Sequence, residues 1–328
     1  LTSSQIGALT SSQARVLTTD AIAALTSSQV TAITSRSVAL LTSAQVAAFT
    51  TEQVGALTTG QLAALSSAAV SGLGTDDLDV LDSADVAALQ TRTLTALSTE
   101  AFASLDSAQL GGLTSAKIAI LTTAQIAALT SDQADGLTST QLLGLTSAQA
   151  VALSSETLAS LSSAQVPGLA TRVIATLTSE KVAALSSELV AALSTGQINA
   201  LSSAAVVGLE AEDIETFSST ELAALNSRAL VALTTGSIAA LVSGQLTALT
   251  TTQVTGFETT DLAALTTTQI ASLVSPQSLS VAAVAVLSAA QLAAIPTAKW
   301  SAMSAAWLNA VPKAVFAARK GPRVAASP

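Results

Sequence analysis

Leu41-Thr42-Ser43-Ala44-Gln45-Val46-Ala47-Ala48 is the unit from which the chain is built. Steps of eight in either direction give 34 uninterrupted octads over residues 1–272 of the 328-residue sequence. Position one is Leu in 30 of them, the exceptions being Ile33, Phe49, Phe217 and Phe257. Position three is Ser or Thr everywhere but Ala211, and position six is nearly always Val, Ile, Leu or Phe. A period this strict decides the fold class before any single residue does.

Position two is Ser or Thr in 25 octads, and position five is Gln, Glu or Asp in 21. That is capping-box spacing: a hydroxyl accepts from the N–H three residues on, and the longer side chain reaches back to the cap N–H. Ala, Gln and Leu then favour helix. Each octad therefore starts a helix afresh. The box favours position two as the cap, whereas position three is the less variable, and both remain open.

One continuous helix fails on geometry. Eight residues at about 100° each drift by about 80° per octad, so the Leu stripe would wind around the helix with no face to bury. A β-solenoid fits poorly, because positions one and six have opposite parity on a strand and Ala is disfavoured there. The sequence predicts an all-α, elongated solenoid of very short capped helices, one per octad. Such helices are unstable alone and must stack, with positions one and six as a continuous core. Position eight, Ala or Gly in 25 of 34 octads, suits close stacking. Val16 is expected to compensate for Ala14, and Val151 for Ala150. Ala134, flanked by Asp132, Asp135 and Gly136, has no such partner and reads as a weak point.

A second, longer period overlies the first. Asp76, Asp77 and Asp79 recur as Glu212, Asp213 and Glu215, Arg36 as Arg172, and Arg92 as Arg228. Residues 1–136 and 137–272 thus read as two copies of a repeat domain. At octad position four, Asp20, Arg36 and Glu52 follow one another at every second octad, as do Glu156, Arg172 and Glu188. Two octads per coil would stack these as acid–Arg–acid ladders, and that is the favoured register; three octads per coil is the alternative. Exposed ion pairs stabilise by less than about 1 kcal/mol, so the ladder speaks to register alone. Two-octad coils, each about 9–10 Å thick, would give a rod approaching about 200 Å.

After residue 272 the pattern stutters. Leu273–Ser278 is a six-residue unit containing Pro276, and five degenerate octads run from Leu279 to Ala318. Trp300, Met303, Trp307 and Phe316 fall there, with Pro296 and Pro312 near helix starts. Bulky, broken repeats are what a solenoid cap requires, so residues 273–318 read as a C-terminal cap with the two Trp as core filling. Residues 319–328 read as a disordered basic tail.

The chain has no His, Cys or Tyr and only 10% charged residues. The net charge of −9 is unevenly placed. Residues 1–272 hold 21 acids and seven basic residues (7 − 21 = −14), and the remainder holds five basic residues and no acid (+5). No apolar run approaches the roughly eighteen residues of a membrane span. The chain shows no signal peptide and opens in mid-array without Met, as expected of a processed product or a segment of something longer.

Without His or Cys there is no triad and no usual zinc site. The carboxylates lie at repeated outer positions with no aromatic platform, which argues against a glycosidase, and no enzyme is expected. No cofactor is implied. Asp76, Asp77, Asp79, Asp82 and Asp85 are a candidate Ca²⁺ cluster through their oxygens, with a solvated acidic face as the plainer reading. A net-negative chain without a phosphate loop is not a nucleic-acid binder.

The octad Leu41–Ala48 resembles the opening of the first helix in plant-pathogen TAL effector repeats; the base-reading loop and second helix are absent, and DNA binding is not implied. Across residues 1–272 the chain resembles Ala/Thr/Gln-rich octapeptide arrays of large secreted or cell-surface bacterial proteins. That resemblance implies an extracellular, adhesin-like or fibrous role and identifies no functional residues.

The expected function is a structural rod, spacer or filament subunit of the bacterial surface or matrix. The alternative is a binding module that uses rows of Ser/Thr hydroxyls for ice or polysaccharide, or carries glycans on them. Self-association is expected at the chain ends. Leu1 and Ile6 would present an uncovered apolar face, and Lys313, Arg319, Lys320 and Arg323 would meet an acidic body.

Overall fold

The computed structural model describes residues 1–319, with side chains to residue 316. Among the described residues there are 37 short α-helices, three 3₁₀ turns and no strand. Position two is the cap. In the helix Ser43–Val46, Thr42 has extended backbone (φ −84°, ψ 163°). Its hydroxyl accepts from the Gln45 N–H at 3.2 Å, and Gln45 Oε1 accepts from the Thr42 N–H at 3.0 Å. Each helix then stops on a tight turn, as where the Phe49 N–H donates to Val46 O at 3.1 Å. No described residue needs a positive φ, so the chain can turn in every octad without glycine.

Helices three octads apart lie on one another. Ser3–Gly7 packs on Ser27–Ala32, and Ser83–Ala88 on Ser107–Gly111. Further along, Ser219–Ala224 packs on Ser243–Ala248, which in turn meets Thr267–Ser272. One coil is therefore three octads and not two. The acid–Arg ladders do not form: each position-four residue is followed in its own row by the position four of the third octad on, so Asp20 precedes Ala44 and Arg36 precedes Gly60. Exposed charges were too weak to set the register. Leu packing and buried amides set it instead.

The described chain forms two compact units, Leu1–Val173 and Ile174 onward. In each, Leu at position one and the aliphatic at position six make the core. Leu65, Leu89 and Leu94 in the first unit, and Val206, Leu230 and Ile270 in the second, are fully buried. Position eight lies against position three of the coil before. A Cβ on Gly72, Gly112 or Gly144 would collide with the carbonyl oxygen of Ser43, Ser83 or Ser115, and one on Gly208 with that of Ser179. The near-invariance of small hydroxyl residues at position three is thus a packing requirement as much as a helix-start signal.

Three local expectations change. Val16 (78% exposed) and Val151 (62%) point to solvent and compensate for nothing. The octad around Ala134 is held on both sides: Gln133 Nε2 donates to Phe102 O (3.2 Å) and Leu105 O (2.6 Å), and Ala134 O accepts from Gln165 Nε2 (2.9 Å). Ile6 is buried (2% exposed) because position six points into its own coil, so of the proposed Leu1–Ile6 face only Leu1 (74%) stands open.

At the far end, Pro276–Ser278 forms a 3₁₀ turn and the degenerate octads still make helices. Trp307 is buried. Trp300 meets Trp307 and Phe316 edge-on at ring-centroid distances of 5.6 and 5.5 Å, so Trp307 fills a core while Trp300 and Phe316 are half-buried. The last helix is Lys313–Arg319. Lys320 and Arg323, and the tail expected beyond, lie outside the described residues, as does the Arg319 side chain.

Candidate functional site

The most repeated chemistry in the molecule is at position five. Sequence reasoning assigned that side chain to the cap alone. It makes two bonds. Gln Oε1 accepts the cap N–H of its own octad, and Nε2 donates to carbonyl oxygens at positions six, seven and one of the preceding coil. Gln45 Nε2 reaches Ala14 O (3.1 Å), Arg15 O (3.2 Å) and Leu17 O (2.8 Å). Gln141 Nε2 reaches Leu110 O (2.8 Å), Gly111 O (3.3 Å) and Leu113 O (2.7 Å). Gln245 reaches Ile214 O (2.7 Å) and Phe217 O (2.8 Å) in the second unit. These amides are buried, where a hydrogen bond matters most because an unmade one is costly. They knit coil to coil.

Where Gln is replaced, the same carbonyls find other donors. Thr93, Thr157 and Ser237 hydroxyls donate to Leu65 O, Leu129 O and Leu209 O. Lys117 Nζ donates to Ala87 O and, at 2.7 Å, to Leu89 O. Lys299 Nζ donates to Ala271 O at 3.3 Å and Leu273 O at 2.5 Å. Burial pushes both lysines below the ordinary ammonium range. Burial does the same to Lys181, opposed by Glu180.

Asp76–Asp85 does not gather. Asp77 Oδ2 accepts the Gly74 N–H (2.9 Å), and Asp82 Oδ1 accepts from Ala84 (2.8 Å) and Asp85 (2.9 Å), so these carboxylates serve as helix caps. Asp76 and Asp79 face solvent. Asp85 is raised by desolvation, against the lowering effect of its backbone hydrogen bond. Among the described residues no three His, Cys, Asp or Glu side chains stand where they would share a metal ion.

Shallow open notches recur between successive coils. One is lined by Thr26, Ser27, Ser28, Thr50 and Glu52, another by Thr75, Ser98 and Glu100, a third by Thr130, Ser131, Ser154 and Glu156. Each offers hydroxyls and one carboxylate, with no aromatic surface and no nucleophile–base pair. In the first, Ser27 Oγ donates to Glu52 Oε1 at 3.2 Å. Of the assembly candidates, Leu1 and Lys313 are exposed. No described helix is long and apolar enough to cross a membrane.

A family model described as the ALTTAQ repeat matches residues 22–59, 58–91, 86–123, 206–243 and 238–275. No curated protein matches the chain.

Proposed function

Because the chain belongs to the ALTTAQ repeat family, whose repeat accounts for its coils, we propose that it is a structural protein: a rod, spacer or filament subunit of the bacterial surface or matrix. The observation that carries this reading is the uniformity of position five. The same amide-to-carbonyl stitch is used in octad after octad, for example at Gln45, Gln61, Gln109, Gln149 and Gln245. A chain selected for one site would concentrate unusual residues there; this one repeats an internal fastening. In this reading it performs no catalysis, and sparse surface charge permits side-by-side or end-to-end contact between copies.

A second reading rests on the notches that pair hydroxyls with Glu52, Glu100 and Glu156. These would bind a polysaccharide weakly and at many points. The cap bonds occupy the position-two hydroxyls, as at Thr50 and Thr130, which leaves positions three and four to do it.

Solution scattering with electron microscopy of concentrated protein tests the proposal. Extended particles that associate into fibres support it. A radius of gyration near the roughly 20 Å of a compact chain this long, with no association at any concentration, contradicts it. Retention on a glycan array without association favours the second reading.

A further inference from the structure

One recess between coils carries the opposite charge to the three notches described above. It is open, has a volume of about 570 Å³, and is lined by Ala88, Leu89, Gln90, Thr91, Arg92 and Lys117. It holds two cations, where the notches at Glu52, Glu100 and Glu156 each hold a carboxylate. We propose that this recess binds an oxyanion carried on a small hydroxylated molecule, namely an acidic sugar.

The stitching of the coils leaves both cations without a counter-ion. Lys117 stands at position five, and its half-buried ammonium donates to Ala87 O and, at 2.7 Å, to Leu89 O. An ammonium has three donors, so one is left for a ligand. Arg92 stands at position four of the coil before. The instructive comparison is Arg172, whose Nε donates to Leu145 O at 3.0 Å and whose Nη2 donates to Leu143 O at 2.6 Å. The oxygen corresponding to Leu145 O is Leu65 O, and Thr93 Oγ1 already donates to it at 3.1 Å. The Arg92 side chain is exposed, and among the described residues it has no hydrogen-bond or ion-pair partner. No acid stands in its row: position four is Ala68 in the coil before, and Ala116 and Thr140 in the two coils after. Lys181, by contrast, directly follows Glu180, whose charge opposes the effect of burial.

The other lining residues suit a ligand with hydroxyls. Gln90 is the one glutamine at position two of the array, and its side chain makes no cap bond. Thr91 beside it is exposed. The guanidinium fork matches two oxygens of a carboxylate, sulfate or phosphate, and the ammonium adds a point charge. Two like charges around one recess repel, and an oxyanion between them replaces that repulsion with attraction. The volume is that of a small-molecule site and exceeds what a bare ion needs. Gln90 and Thr91 are there for the ligand's hydroxyls, and Ala88 and Leu89 form an apolar wall for its ring. The chain as a whole carries −9, so its general field repels anions and saturable uptake reports a local site. Binding here is independent of rod formation.

The test is isothermal titration calorimetry of the full chain with galacturonate, using galactose and sodium sulfate as comparison ligands. R92A, K117Q and the double variant are the comparison proteins. Each substitution installs a residue the array itself uses at that position, as at Ala116 and Gln141, so all should keep the parent's circular dichroism. One galacturonate per chain is expected, bound more weakly as NaCl rises, with no binding of galactose. R92A and K117Q should each weaken binding by about tenfold or more, and the double variant should bind none. Sulfate binding without galacturonate binding, or galactose binding as well as galacturonate, overturns the assignment to an acidic sugar. No saturable binding of either anion, or binding unchanged in the double variant, overturns the site itself.

Discussion

In residues 137–144 the fifth position holds Gln141, whose amide touches three carbonyls of the preceding coil while its oxygen accepts the Thr138 N–H. In residues 303–310 the same position holds Trp307, equally buried, whose indole N–H has no partner. The first coil is held by polar stitching that any neighbouring octad could copy. The last is held by aromatic packing, with Trp300 and Phe316 edge-on around it. The comparison separates two requirements that the repeat satisfies with one residue. Position five must fill volume, and it must satisfy the carbonyls of the coil before. Trp307 meets only the first.

Long repeat arrays do not unfold as one two-state unit, so the effects below are read by native-state hydrogen exchange in the flanking octads. The largest is expected at the aromatic end: Trp307→Ala should cost about 3–5 kcal/mol locally. Trp307→Phe, which removes the unpartnered N–H but keeps most of the ring, should cost less than about 1.5 kcal/mol. If the two variants cost the same, the residue is not there for volume.

Gln141→Leu preserves size and apolar fill but leaves buried carbonyls and a cap N–H without their side-chain partner. It should cost about 2–4 kcal/mol, as four hydrogen bonds at about 0.5–1 kcal/mol each imply. A neutral outcome would mean that packing alone holds the coils.

Adjacent glycines give a smaller but sharper contrast. A Cβ on Gly112 would press on the Ser83 carbonyl, while one on Gly111 would meet nothing within 4 Å. Gly112→Ala should therefore destabilise by about 1–3 kcal/mol. Gly111→Ala should stabilise by about 0.4–1 kcal/mol through lower unfolded-state entropy. Equal signs would refute the contact between positions eight and three.

The smallest effect concerns pH. Burial lowers Lys117 below the ordinary lysine value of 10.5, so the folded chain holds that proton less tightly than the unfolded chain. Local stability should rise as pH climbs through the lowered value toward 10.5, where the unfolded state still binds the extra proton. Lys117→Gln should flatten that dependence and be the more stable variant at neutral pH. A profile unchanged by the substitution would place the ammonium in open solvent.

Much of this architecture was legible in the octad. Thr42 with Gln45 gave the cap, Leu41 and Val46 the buried pair, and Ala48 the close approach. The coil size was not. The charges Asp20, Arg36 and Glu52 suggested a two-octad step because they are conspicuous, yet exposed charges carry too little energy to choose a register. The residue that does choose it, Gln45, had already been assigned to its own cap, and a glutamine has two ends. Its Nε2 partners, Ala14, Arg15 and Leu17, lie between three and four octads back, a spacing invisible until the coil is known.

The three-octad coil can be tested directly because the chain contains no cysteine. Cysteine pairs placed at exposed position-four sites, Ala116→Cys with Thr140→Cys and Ala116→Cys with Asp132→Cys, are treated with a crosslinker spanning about one helix layer, roughly 8–10 Å. A three-octad coil predicts rapid, near-complete linkage of residues 116 and 140 and little linkage of 116 and 132. Preferential linkage of 116 and 132 would contradict it.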